Sequence, residues 1–210
     1  MQMTSTPTIN PKQERIANIL RLGGWVSFWL QLGLGAACGL MLIFAISGRS
    51  FNQAISDDVV VPGAGVRATT QYTDTTTPGL GISMFWAACG IIGLLIGIYL
   101  AFRLTRFARR LRNPNPEIHP KKAEVMKILR IGVIIGLVGL LLTILGGGSS
   151  LGVLLAKSIA QPQGVAIYDP TRIIRPLDIF VAMANMCGIA AHFIGTITTL
   201  ALFNWLHPEL

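Results

Sequence analysis

Four stretches of this chain are too apolar to be left in water and too long for ordinary core helices: Gly24 to Ser47, Gly81 to Phe102, Ile131 to Ala156 and Leu177 to Leu206. They run to 22–30 residues, whereas a helix rising about 1.5 Å per residue crosses a hydrocarbon layer of about 30 Å in about 20. The first three cross with modest tilt. The fourth is longer than it needs to be, which places Asp178 and Asn204 near its two interfaces. None alternates every second residue as an outer-membrane strand would. The expected fold is therefore all-α, a four-helix transmembrane bundle. Residues 1–22 form a polar lead, 23–206 the membrane domain, and 48–80 and 103–130 two of its loops. Charged residues make up 12% of the chain against about 25% in soluble domains. That shortfall excludes a water-soluble enzyme or a disordered tail.

Charge sets the orientation. Nine of the 17 basic residues lie between Arg103 and Arg130, and Lys12, Arg15 and Arg21 precede the first span. The loop at 48–80 instead carries Asp57, Asp58 and Asp74 against Arg49 and Arg67. The positive-inside bias puts both termini and the basic loop in the cytoplasm. Trp25, Trp29 and Trp205 then mark the inner interface and Trp86 the outer one. This topology accounts for the basic residues without any nucleic-acid partner. The run containing Arg103, Arg106, Arg109 and Arg110 should extend the second helix into the headgroup layer and attract anionic lipid, at about 1 kcal/mol per basic residue.

The first 22 residues contain no short apolar region with a small-residue cleavage site, so the first span reads as a retained anchor. Nor is there a Ser- and Arg-rich transit segment. Asn10-Pro11-Lys12-Gln13 offers an N-cap and a proline at the first helical position. A short helix is expected there, with Ile16, Ile19 and Leu20 lying on the membrane before the chain enters it. Cys38, Cys89 and Cys187 all fall within spans, which excludes a disulfide framework. They read as packing residues, as do Met183 and Cys187, which are four apart.

The spans read either as an internal duplication or as chance matches between residues common in membrane helices. Cys89-Gly90-Ile91 matches Cys187-Gly188-Ile189, and Ile96-Gly97 matches Ile194-Gly195, both at an offset of 98. Arg21-Leu22-Gly23 and Arg130-Ile131-Gly132 open the first and third spans alike. Two tandem two-helix units of the same orientation would be related by an axis along the membrane normal. Glycines four apart, Gly35 and Gly39, Gly93 and Gly97, Gly132 and Gly136, are placed for close helix contact.

Polar side chains at membrane depth are costly, hence informative. Asp178, Asn185, His192 and Thr199 follow one another every seven residues, nearly two turns, so they share one face of the fourth helix. Successive members stand about 10.5 Å apart along the axis, too far to ligate one ion. The stripe is either a polar pathway or packing that joins helices. Gln31, at the depth of His192, is placed to hydrogen-bond to it across the bundle. His192 is either a neutral bonded group, a metal ligand or a proton carrier. Gly146-Gly147-Gly148-Ser149-Ser150 falls near the level of Asn185; it is either a helix break exposing carbonyls or a close-packed small-residue face. No nucleotide loop, paired catalytic carboxylates, HExxH, CxxC or nucleophile elbow occurs, which points away from catalysis and names no cofactor.

The opening Arg21-Leu22-Gly23, followed by Phe28-Trp29-Leu30-Gln31-Leu32, is one of three marks that resemble a known family. The others are the arginine-rich end of the second span and the series Asp178, Ala184-Asn185 and Ala191-His192-Phe193-Ile194-Gly195. Together they resemble the four-span chloroplast inner-envelope family, from about Ile16 to Leu206. The resemblance implies one of two roles described for its plant members, an iron permease or a subunit of the inner-envelope protein translocon. A chain without a transit segment resembles the cyanobacterial relatives, which implies a plasma or thylakoid membrane. The leading expectation is a metal-ion (iron) permease or permease component, iron being its substrate. Four spans are few for a solitary pathway, so self-association or other membrane subunits are expected. The second expectation is a non-transporting assembly or accessory subunit of a protein-translocating or photosynthetic membrane complex.

Overall fold

The computed structural model describes residues 11–57, 80–113, 115–160 and 174–209. They form α1 (Pro11–Asp57), α2 (Leu80–Leu111), α3 (Lys122–Ile159) and α4 (Pro176–Glu209), with a single 3-10 turn at Pro116–Ile118. All four α-helices are long and apolar enough to span a membrane. The helices pack in a ring, α1 to α2 to α3 to α4 and back to α1, and α2 and α4 also touch across the short diagonal. Contacts pair Gly24 with Thr105, Gly90 with Thr143, Gly132 with Thr199 and Gly23 with Leu202, so each helix runs antiparallel to both ring neighbours. Each helix overruns its expected span, and the arginine run is helical as far as Leu111.

The polar lead does not lie on the membrane as a separate short helix. Pro11 opens α1 at the first helical position, and the helix then continues without interruption into the span; Asn10 lies outside the described residues. Ile16, Ala17 and Leu20 are buried against Leu104, Phe107, Leu129 and Leu206. The reason is spacing: three- and four-residue steps put them on the bundle side, and no breaker separates them from Gly23. Asn18 accepts a hydrogen bond from Arg112, tying α1 to the end of α2. Asn113 and Asn115 side chains then accept from the backbone N–H groups two residues on, turning the chain tightly into α3.

This end of the bundle holds the largest apolar cluster. Much of it, from Leu104 to Leu129, lies beyond the stretches that lipid would cover, where water supplies a hydrophobic drive. Within the spans the pattern inverts. Large side chains such as Ile43, Phe44, Ile92 and Leu141 face outward, and the interior is mostly small Gly, Ala, Ser and Thr, with a few larger groups such as Leu42, Leu94, Val181 and His192. Lipid gives no hydrophobic reason to bury Leu against Leu, so close backbone approach and hydrogen bonds hold this zone. Met183 belongs to the outward set, not to the core. Cys38 is buried with Cys187 packed against it, and all three thiols are free.

The matched glycines of the two halves meet the same side chains. A methyl group on Gly90 or on Gly188 would press on Thr143 Cγ2, at 2.5 and 2.9 Å. One on Gly97 or on Gly195 would press on Gln31, at 2.9 and 2.6 Å. Thus α1 and α3 wedge between α2 and α4 from opposite sides. Gly39 departs from the expected pattern: nothing lies within 4 Å of it, so it serves no contact inside the bundle.

Candidate functional site

The stripe on α4 is buried along its whole length, and it forms levels stacked down the bundle. At the end near the α3–α4 loop, Asp178 accepts from Lys157 Nζ at 2.5 Å and from the Arg175 backbone N–H at 3.0 Å. Both side chains of the pair are almost fully enclosed, with relative exposures of 6% and 2% for Lys157 and Asp178. Lys157 lies one residue past the third apolar stretch and Asp178 one residue into the fourth. Their opposite charges at matching depths were visible in the sequence; their pairing was not.

Two turns further on, Asn185 Nδ2 donates to Ser83 Oγ at 3.3 Å and to the Val181 carbonyl at 3.0 Å. Ser83 Oγ in turn donates to the Gly146 carbonyl at 2.8 Å, joining α4, α2 and α3. Asn185 Oδ1 sits over the bare Cα of Gly146 and, among the described residues, is a buried side-chain oxygen without a partner. The Gly146, Gly147, Gly148, Ser149, Ser150 segment is continuous α-helix, so it is no break. Ser149 and Ser150 hydroxyls donate back to the Gly146 carbonyl, and Ser83 donates to it from α2. The missing Cβ atoms admit Asn185 instead of loosening the backbone.

His192 occupies the next level. Its Nε2 lies 3.0 Å from the Gly90 carbonyl, which only accepts, so Nε2 carries a proton and donates it. The ring lies against Gly139, where even a methyl group would overlap it. The expected Gln31–His192 hydrogen bond does not form: Gln31 Nε2 donates to Ser27 Oγ at 2.6 Å, one turn earlier on its own helix. An α2 backbone carbonyl takes the His192 hydrogen bond, and a serine one turn back on α1 takes that of Gln31. Both nevertheless line one small chamber with Gly97, Gly136, Gly195 and Thr199, to which all four helices contribute. Its volume is about 20 Å³, room for about one water molecule. Thr199 and Thr196 hydroxyls donate back to carbonyls of α4 at 2.7 Å, adding polar lining without crossing to a neighbour.

At the basic end, the four arginines split. Arg103 leans over Phe107 and lies 3.8 Å from Glu124, whereas Arg106 lies over Phe102. Arg109 and Arg110 are exposed on the last turn of α2. Among the described residues, no three His, Cys, Asp or Glu side chains come together as a metal cluster would.

Buried polar groups held in a glycine-lined interior, with large apolar side chains outside, define a multi-pass helical membrane protein. Residues 10–207 match the family described as Protein of unknown function (DUF3611), and the chain belongs to that family. It is similar to Protein TIC 21, chloroplastic, of Arabidopsis thaliana, with 27% identity over 199 residues. The alignment covers 91% of this chain and 57% of the relative, so the chain spans little more than half of that curated protein. No solved structure matches the chain.

Proposed function

We propose that this chain is a non-transporting structural subunit of a membrane complex, of the protein-translocating or photosynthetic kind, with its termini and basic loop on the cytoplasmic side. The observation that carries this reading is where the polar stripe spends its hydrogen bonds. Asp178, Asn185, His192 and Thr199 each bond inside the bundle, to Lys157, Ser83, Gly90 and Gly195. A pathway needs such groups turned toward a wet, continuous cavity; here the first three join helices and Thr199 bonds back to its own. The similarity to Protein TIC 21, chloroplastic, supports a place in a membrane assembly of that family. Crosslinking in native membranes followed by mass spectrometry should recover one partner protein at constant stoichiometry. Recovery of this chain alone would end the proposal.

The iron permease is the second reading, favoured by the chamber that Gln31, His192 and Thr199 share. On that reading, purified protein in liposomes carries iron(II), and His192→Ala lowers the flux several-fold. Wild-type flux equal to that of empty liposomes would reject it.

A further inference from the structure

The α1–α2 seam at the basic end has a construction that the proposed role does not use. Trp25 and Trp29 stack at 5.8 Å between ring centroids, Phe28 meets Trp29 edge-on at 5.5 Å, and Phe28 reaches Phe102 of α2 at 6.1 Å. Trp29 is 58% exposed and Phe102 41%, so this floor faces outward. Arg106 lies over Phe102 with its guanidinium carbon 5.1 Å from the ring centre. Arg21 stands one turn before Trp25 on the same face of α1, and Gly24 beside it packs against Thr105. Arg21 and Arg106 therefore stand at the headgroup end of one aromatic floor, one on each helix.

Among the described residues no carboxylate pairs with Arg21 or Arg106: Glu124 pairs with Arg103 and Asp178 with Lys157. The positive-inside bias asks only that positive charge sit at this end of the bundle. It does not ask that two arginines without a carboxylate partner border exposed indole and phenyl rings on adjacent helices. That arrangement is the pattern of a headgroup site, with cations at phosphate level and amphipathic aromatics just below, against the acyl chains.

We propose that this seam binds an anionic glycerolipid of the surrounding leaflet, its headgroup between Arg21 and Arg106 and its acyl chains along Trp29 and Phe102. The test uses the full chain with Trp25, Trp86 and Trp205 changed to Phe, leaving Trp29 as the reporter. The protein is placed in bilayers of phosphatidylcholine with increasing fractions of brominated phosphatidylglycerol or brominated phosphatidylcholine. Brominated phosphatidylglycerol should half-quench Trp29 at a mole fraction about fivefold lower than the choline lipid. Arg21→Gln with Arg106→Gln should abolish that preference, whereas Lys121→Gln with Lys122→Gln, also at the basic end, should keep it. Equal quenching by the two lipids would overturn the proposal. So would a preference that both double variants reduce alike, since that is diffuse surface attraction.

Discussion

Changing Lys157 to Met alone will cost about 3–5 kcal/mol of bundle stability, because it leaves Asp178 buried without its partner. Asp178→Leu alone should cost a similar amount by stranding the ammonium, and should also release the Arg175 N–H that now donates to the carboxylate. The double variant, Lys157→Met with Asp178→Leu, should recover to within about 1–2 kcal/mol of wild type, since a packed apolar pair replaces enclosed charges without a desolvation penalty. Unfolding midpoints in mixed micelles of rising SDS fraction, run as a double-mutant cycle, measure this directly. Single and double variants that all lie within 0.5 kcal/mol of wild type, about the size of an ordinary surface change, would mean that water screens the pair. The enclosure described here would then be wrong.

The second large effect lies in the lipid-embedded interior. Gly139→Ala will destabilise the bundle by about 1–3 kcal/mol, because its methyl group overlaps the His192 ring and both α3 and α4 backbones are fixed by their own hydrogen bonds. Removing the ring at the same time, Gly139→Ala with His192→Ala, should cost less than the two single changes added together. Gly39→Ala is the control: a methyl group there meets nothing within 4 Å on a neighbouring helix, so it should cost no stability and gain up to about 1 kcal/mol from helix propensity. Equal losses at Gly39 and Gly139 would show that the loss does not come from contact with His192.

The spans were legible because more than 20 apolar residues in sequence admit few structures, and the four helices follow from that alone. The small-residue positions at Gly93, Gly97, Gly132 and Gly136 were legible too, since a four-residue step on a lipid-embedded helix has one common use. What stayed hidden depends on partners that leave no mark in a sequence. His192 bonds a backbone carbonyl, which every residue possesses. Ser83 is a lone serine near the start of a span, yet it joins Asn185 to Gly146. The glycine and serine run on α3 could be told from a break only by seeing what fills the space above it. The same holds for the first turns of α1: Ile16 and Leu20 suit a membrane surface or a helical cleft equally, and the cleft is made by residues about 90–190 positions away.

The shared wedges also bear on how the molecule is completed after synthesis. Gly90 in the first hairpin is closed by Thr143 of the second, and Gly195 in the second by Gln31 of the first. Neither hairpin is therefore sealed until its sibling has inserted, and the last clasp joins the earliest helix to the latest. A ribosome that stalls after the second helix leaves a half-built zipper in the bilayer, with bare teeth open to whatever neighbour comes by.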